Sequence, residues 1–93
     1  MSREELNHLC ELAKIEIKEE FGIETNGVPI PKSDLERGAT YYGHCRNSGM
    51  AVWMGDRFFY QRYKLGSYFL DEINHYEDDD GYDVFIPILK KEL

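Results

Sequence analysis

The sequence lacks an apolar run of about eighteen residues, the length that a membrane-spanning helix requires, so we expect no membrane span. Its polar, acidic N-terminus also lacks the apolar core of a secretory signal peptide. Cations are few, because 11 Lys and Arg stand against 18 Asp and Glu, giving a net charge of −7 at pH 7. Nucleic acid repels net negative charge, so we expect neither a phosphate-coating protein nor direct nucleic-acid binding.

Cysteines are also scarce. The two that are present, Cys10 and Cys45, do not form a CxxC pair. Sequence alone does not decide whether they form a disulfide, because that depends on geometry. Without an expected signal peptide, we interpret both as reduced thiols of a cytoplasmic protein. The chain has no internal repeat and no Gly-rich phosphate-binding motif, and we predict no cofactor.

The N-terminal part of the chain predicts an amphipathic helix. The length of 93 residues and the apolar content of 42% fit one domain, residues 1–93, with one modest core. We place the helix at residues 2–21, where Ser2 and Glu5 have the spacing of a capping box and Gly22 follows as a C-terminal cap. The apolar stripe recurs at steps of three and four residues and consists of Leu6, Leu9, Cys10, Ala13, Ile17 and Phe21.

Residues 24–38 predict a connector and residues 39–89 an antiparallel sheet. Aromatic residues concentrate in this second region, and Gly55-Asp56 is typical of a hairpin turn. The fold class that we predict is α+β, a helix packed on about five strands that either stay open or curl into a small SH3-like barrel. Pro87 predicts that the last strand lies at an edge or ends early. The predicted strands are 39–46, 49–54, 57–63, 67–74 and 82–89.

Alternation assigns the strand residues to two faces. Phe58 and Tyr60 share one face, whereas Phe59 and Gln61 share the other. Val84, Ile86 and Ile88 favour a core face in the last strand. One face of the sheet must meet the helix, and the other either closes a barrel or stays partly exposed as a binding surface.

Charge is divided between two stretches of the predicted sheet. Residues 46–64 contain four cations and one anion, a net +3, whereas residues 71–83 contain seven acids and no base. The two stretches either pair with each other across neighbouring strands or leave the cations free for an anion pocket. In such a pocket the arginines would form bidentate hydrogen bonds to the anion, while aromatic rings would stack on a nucleobase or another ring of the ligand. The predicted ligand-binding residues are Tyr42, Arg46, Asn47, Trp53, Tyr60, Arg62, Lys64 and His75.

The acidic residues between positions 77 and 83 permit three interpretations. Calcium binding is the first, but the spacing of an EF-hand loop fails, and we predict no metal site. A solvated acidic turn is the second, and a surface that competes for a basic protein is the third. The residues of this predicted acidic partner surface are Glu77, Asp78, Asp79, Asp80 and Asp83.

A cysteine–histidine pair is the only candidate for catalysis. Cys45 with His75 would need an accessible, electropositive thiol, and no third group that would orient the histidine is identifiable. His44 and Cys45 are adjacent, so on a strand they point to opposite faces and cannot share a metal. We therefore predict no catalytic residues and no enzyme, with a small Cys/His hydrolase as the alternative.

Several short motifs resemble small proteins of Gram-positive bacteria (Firmicutes) and of their phages or mobile elements. The resemblance covers about half the chain, from Leu35 to Pro87, and implies a phage or mobile-element origin, hence a location in the bacterial host cytosol. It implies no activity and no catalytic residues. The motifs are Tyr42-Gly43-His44-Cys45-Arg46-Asn47, Ala51-Val52-Trp53, Phe59-Tyr60-x-Arg62-x-Lys64-x-Gly66, Glu72-Ile73-Asn74-His75, and Glu77-Asp78-Asp79 followed by Tyr82-Asp83-Val84-Phe85.

Two functions follow as hypotheses. The first is a non-enzymatic binding protein that sequesters a small anionic or nucleotide-like ligand, or that inhibits a host defence protein. The alternative is an acidic mimic of nucleic acid that blocks a DNA- or RNA-binding enzyme. An exposed edge strand would also be consistent with a homodimer.

Overall fold

The computed structural model of the protein describes residues 1–45, 48–64, 66–78 and 83–92, and of residues 62–64, 67 and 68 it describes the backbone. Short 3₁₀ turns lie at Lys32–Asp34 and Tyr76–Asp78. In the described part of the chain, no helix is long and apolar enough to cross a membrane. The helix and strands are α1 (Arg3–Phe21), β1 (Thr40–His44), β2 (Met50–Trp53), β3 (Phe58–Lys64), β4 (Ser67–His75) and β5 (Val84–Lys90).

Both ends of α1 are capped as the sequence predicts. The Ser2 hydroxyl accepts a hydrogen bond from the Glu5 N–H at 3.1 Å, which satisfies one of the free N–H groups of the first turn. Gly22 adopts the left-handed conformation, with φ of 70°, and its N–H donates to the Lys18 carbonyl.

The five strands form a closed barrel in the order β1-β2-β3-β4-β5, with β5 pairing back to β1. The fold is therefore an N-terminal helix on a small SH3-like barrel, and the predicted fold class is confirmed. The expectation of a fully antiparallel sheet is wrong at one junction, because β4 and β5 run parallel at Asn74↔Val84 and His75↔Phe85. Strand directions cannot alternate everywhere around a closed ring of odd number, so one parallel junction is required. The 3₁₀ turn at Tyr76–Asp78 joins these two strands.

Pro87 lies inside β5, so the prediction that the strand ends early or lies at an open edge is wrong. Tyr42 faces Leu89 while Gly43 faces Pro87, which leaves one extra residue on β5 as a bulge. The Pro87 carbonyl accepts a hydrogen bond from the Ile30 N–H at 2.8 Å. The connector thus covers β5 beyond its short pairing with β4, at a position where proline's missing N–H is tolerated.

The described residues form two apolar cores in this arrangement. Strand β5 contributes to both, because Phe85 points into the barrel while Ile86 and Ile88 pack against α1; Val84 is only half-buried. The barrel core contains Tyr41, Cys45, Ala51, Trp53, Phe58, Tyr60, Ile73 and Phe85. The core between helix and barrel contains Cys10, Ala13, Ile17, Tyr42, Ile86 and Ile88.

Candidate binding groove

The predicted ligand-binding residues do not come together on one exposed surface. Tyr42 is buried beneath α1, Trp53 and Tyr60 are buried in the barrel core, and His75 has no exposed surface at all. The remaining members of the set are Arg46 and Asn47, which lie outside the described residues, and Arg62 and Lys64, whose side chains also lie outside the description.

His75 is a buried structural residue whose ring nitrogens both meet backbone groups. The Nδ1 atom accepts a hydrogen bond from the Glu77 N–H at 3.1 Å, so Nε2 carries the proton and donates to the Ile30 carbonyl at 3.1 Å. The ring lies near Phe58 and Tyr76, with centroids 6.2 and 4.2 Å away. Neutral His75 therefore ties the connector to the end of β4.

This geometry does not support a Cys45–His75 catalytic pair. Both nitrogens of His75 are already engaged, and Cys45 is buried in the barrel core. Cys10 and Cys45 are free thiols, and burial of Cys10 between α1 and the barrel raises its pKa. A raised thiol pKa disfavours the thiolate that nucleophilic chemistry requires.

We expect acid to destabilise the protein through His75. Burial lowers the pKa of His75 below its ordinary value of 6.5, so below that pH the unfolded chain binds a proton that the folded chain does not. The free energy of unfolding is therefore unaffected by His75 above about pH 6.5. It decreases as the pH is lowered from there, until the pH reaches the lowered pKa of His75 in the folded state. Urea unfolding of His75→Gln should show a flatter pH dependence between about pH 7 and pH 5 than the wild type. His8→Gln, at an exposed position of α1, is the control and should keep the wild-type profile.

Among the acids of the predicted partner surface, Asp78 is engaged in an ion pair within the fold. Asp78 pairs with Lys32 at 2.6 Å, and Glu77 lies 3.8 Å from the Nδ1 of His75. Asp83 is exposed, whereas Asp79 and Asp80 lie outside the described residues. Among the residues that the structure describes, no three His, Cys, Asp or Glu side chains are grouped to hold a metal ion.

Among the described residues, a salt bridge joins the basic and acidic stretches across neighbouring strands. Arg57, immediately before β3, pairs with Glu72 on β4 and also with Asp56. The hydrogen bond that Arg57 donates to the Glu72 carboxylate raises the pKa of Arg57 further above its ordinary value. The interpretation that the two stretches pair with each other is therefore correct for Arg57 and Glu72.

An open groove lies where β2 and β3 separate. The two strands pair at Trp53↔Phe58 and Val52↔Phe59, and beyond that point no pairing between them is seen in the described residues. Strand β3 nevertheless continues along β4 as far as Lys64↔Ser67. The resulting groove has a volume of about 450 Å³. Its apolar lining is formed by Met50, Val52, Phe59 and Leu70, and Thr40, Ser48, Ala51, Tyr60, Gln61 and Lys91 complete it.

The apolar lining of this groove is open to solvent. Leu70 is 67% exposed, and Met50, Val52 and Phe59 are half-buried. Exposed apolar surface next to a concavity is typical of an interaction site. Alternation in the sequence places Phe59 on the face opposite Phe58 and Tyr60, whereas no sequence motif singles out Leu70.

One end of the groove is basic. A second hollow of about 330 Å³ contains Arg37, Lys90 and Lys91 and shares Thr40 and Lys91 with the groove. Lys90 pairs with Glu36 at 2.7 Å. Within the described residues, the side chains of Arg37 and Lys91 have no acidic partner. Two cations are therefore available beside an apolar groove in a protein of net charge −7.

Comparison with known proteins does not indicate a function for this chain. The chain matches no family model, no curated protein and no solved structure. The resemblance to small bacterial and phage proteins stays a prediction. The features of this chain that bear on its function are a five-stranded barrel packed against α1, an apolar groove, and the cations at one end of that groove.

Proposed function

We propose that this protein is a non-enzymatic binding protein that takes a segment of another protein into the groove between β2 and β3. The observation that supports this most strongly is the exposure of Leu70, at 67%, beside the half-buried Met50, Val52 and Phe59. Burying such side chains against a partner contributes about 25 cal/mol for each Å² of apolar surface removed from water. A small barrel supplies the rigid support that such a surface needs.

The chemistry of the groove favours a partner segment with apolar side chains and an acidic residue at one end. Apolar residues form the wall, while Arg37 and Lys91 lie at the end near Thr40. The rest of this acidic protein repels an acidic partner at long range, so these cations would fix where the partner's carboxylate lies. Charge therefore sets the orientation of the segment, and apolar contact supplies the affinity.

A small anionic or nucleotide-like ligand has less support in the structure. Three of the aromatic residues expected to stack on such a ligand, Tyr42, Trp53 and Tyr60, are buried in the two cores. If the gene belongs to a phage, as the resemblance implies, the partner would be a host protein, and the barrel would act as an inhibitor of a defence system.

The acidic nucleic-acid mimic also has less support. Such a mimic needs free carboxylates spread along one face, but Glu72 is paired with Arg57 and Asp78 with Lys32. Binding by a mimic would weaken steeply with salt, whereas binding through the apolar groove would depend on salt only through the cations at its end.

Selection from a library of random displayed peptides tests the proposed function. The full chain should enrich peptides with several apolar residues and an acid, and calorimetry should then give their affinity. Leu70→Ser should weaken binding at least about tenfold, because Leu70 is the most exposed apolar side chain of the groove. Ile15→Ser removes a 51% exposed apolar side chain from α1 and serves as the matched control.

Two results would contradict the proposal. Failure to enrich any peptide above an unrelated acidic protein of similar size would show that the groove does not take up a polypeptide. Equal affinity of the wild type and Leu70→Ser, with loss in Ile15→Ser, would move the binding surface to the helix.

A further inference from the structure

Within the described residues, the backbone of β3 has an open edge where it borders the groove. The Met54 N–H donates to the Arg57 carbonyl at 2.9 Å, so Met54 and Arg57 form a hydrogen-bonded pair of the β2–β3 ladder. Such pairs recur at every second residue of an antiparallel ladder. The N–H and C=O of Phe59 therefore face β2, and so do those of Gln61. Phe59 is paired with Val52, but the described ladder stops there.

The backbone groups of the residue that would continue this ladder are already hydrogen-bonded to a side chain just before β2. Met50 would lie opposite Gln61, but the Ser48 hydroxyl accepts from the Met50 N–H at 3.2 Å and donates to the Met50 carbonyl at 2.8 Å. The Ser48 hydroxyl thus occupies both backbone hydrogen-bonding groups of Met50, at the point where the described pairing of β2 with β3 has ended. The β3 edge has no equivalent side chain in the described residues, so its hydrogen-bonding groups at Gln61 face the groove.

We propose that the partner segment binds as an extended strand that adds to the open edge of β3 at Gln61. This inference rests on the proposed function and specifies how the groove is used. Main-chain hydrogen bonds to an exposed strand edge give affinity to any extended chain, and pockets for alternate side chains give specificity. Met50, Val52, Phe59 and Leu70 form such a pocket directly beside this edge.

The occupant is a segment of a different protein with apolar residues at every second position. Alternate side chains of an added strand point to opposite faces of the sheet, so one row joins Phe59 and Leu70 in the apolar groove while the other points to the same side of the sheet as Tyr60. An acidic residue near one end would meet Lys91 and Arg37. A second copy of this chain fits less well, because each copy brings a net charge of −7.

Replacement of Gln61 by proline tests this mode of binding. Proline removes the N–H that faces the groove but leaves the β3–β4 ladder, and edge positions of this kind tolerate proline. Gln61→Pro should bind the selected peptides at least about tenfold more weakly than Gln61→Ala, which keeps the backbone donor. Thermal unfolding of the two variants shows whether the barrel is intact. Peptides N-methylated at alternate residues make the same test without changing the protein, and methylation in one of the two registers should abolish binding.

Amide hydrogen exchange of the free wild-type protein supplies a readout that needs no ligand. The N–H of Gln61 should exchange much faster than those of Phe59 and Tyr60, which face β2 and β4. Addition of a selected peptide should then slow the exchange of Gln61. Protection of Gln61 in the free monomer would overturn strand addition, since the edge would already be occupied.

The remaining outcomes separate the two proposals. Peptides that bind Gln61→Pro and Gln61→Ala equally, yet lose affinity for Leu70→Ser, would overturn strand addition and leave the proposed function standing. A dimer in light scattering that Gln61→Pro dissociates would show that a second copy occupies the edge and would overturn the choice of partner. Failure to select any peptide would overturn both proposals.

Discussion

Replacement of Gly43 by alanine is expected to destabilise the protein by about 3 kcal/mol, the upper end of the usual cost of overpacking. A Cβ atom at this position would lie 2.0 Å from the backbone oxygen of Ile86 and 2.9 Å from the ring of Phe85. Neither neighbour can move freely, because both belong to the strand that closes the barrel against β1. Since small domains are stable by only about 5–15 kcal/mol, urea unfolding followed by tryptophan fluorescence should show a large loss.

Gly49→Ala is the matched control for this prediction. A Cβ atom on Gly49 would meet the end of the Glu20 side chain at 3.3 Å, and that side chain can rotate away. We expect a change within about 1 kcal/mol. Equal losses in the two variants would mean that β1 and β5 do not approach as closely at Gly43 as the structure shows.

Phe58→Ala is expected to cost about 3–5 kcal/mol, the range for deletion of a fully buried aromatic side chain. The ring has no exposed surface and packs against Trp53 and Phe85, with centroids 4.8 and 4.7 Å away. Because Phe58 lies between β2 and β5 in the barrel interior, its removal leaves a cavity that the closed sheet cannot readily fill. Chemical unfolding of the variant measures this loss directly.

The neighbouring Phe59→Ala provides the contrast. Phe59 lies on the outer face and is only half-buried, so we expect a loss of about 1 kcal/mol in stability together with weaker binding of the selected peptides. The two variants therefore separate a core residue from a groove residue at adjacent positions. The opposite order, with Phe59 the costlier deletion, would reverse the assignment of inner and outer faces.

Local sequence patterns predicted the elements of this fold because each depends on neighbouring residues. The capping box at Ser2 and the glycine at Gly22 mark the two ends of the helix, within one residue of its observed limits. Alternation correctly separated Phe58 and Tyr60 from Phe59 and Gln61. These signals operate over two to four residues and need no knowledge of the rest of the chain.

Closure of the barrel depends on contacts that local patterns do not encode. The parallel junction at His75↔Phe85 follows from ring closure by an odd number of strands. Pro87 was misinterpreted because its partners, Gly43 and Ile30, are distant in sequence. Barrel closure likewise buries Trp53 and Tyr60, which composition alone would allow on a binding surface.

The sequence predicts part of the candidate site, namely basic side chains near aromatic ones, but it does not predict the groove. Charge counting indicated basic side chains among aromatics, and the structure does leave Arg37 and Lys91 near an open hollow, although neither belongs to the predicted set. The groove itself arises where β2 and β3 separate beyond Val52↔Phe59, a tertiary feature with no sequence motif. The Ser48 hydroxyl that satisfies Met50 is equally invisible in the pattern of residue types.

Titration of a selected peptide into the isotopically labelled full chain, followed by backbone amide NMR shifts, tests whether the groove between β2 and β3 is the binding site. We expect the largest shifts on Met50, Val52, Phe59, Gln61 and Leu70, at the groove between β2 and β3. Smaller shifts should reach Lys91 at its basic end. Shifts centred instead on α1, or on the face around Lys32 and Asp78, would contradict it.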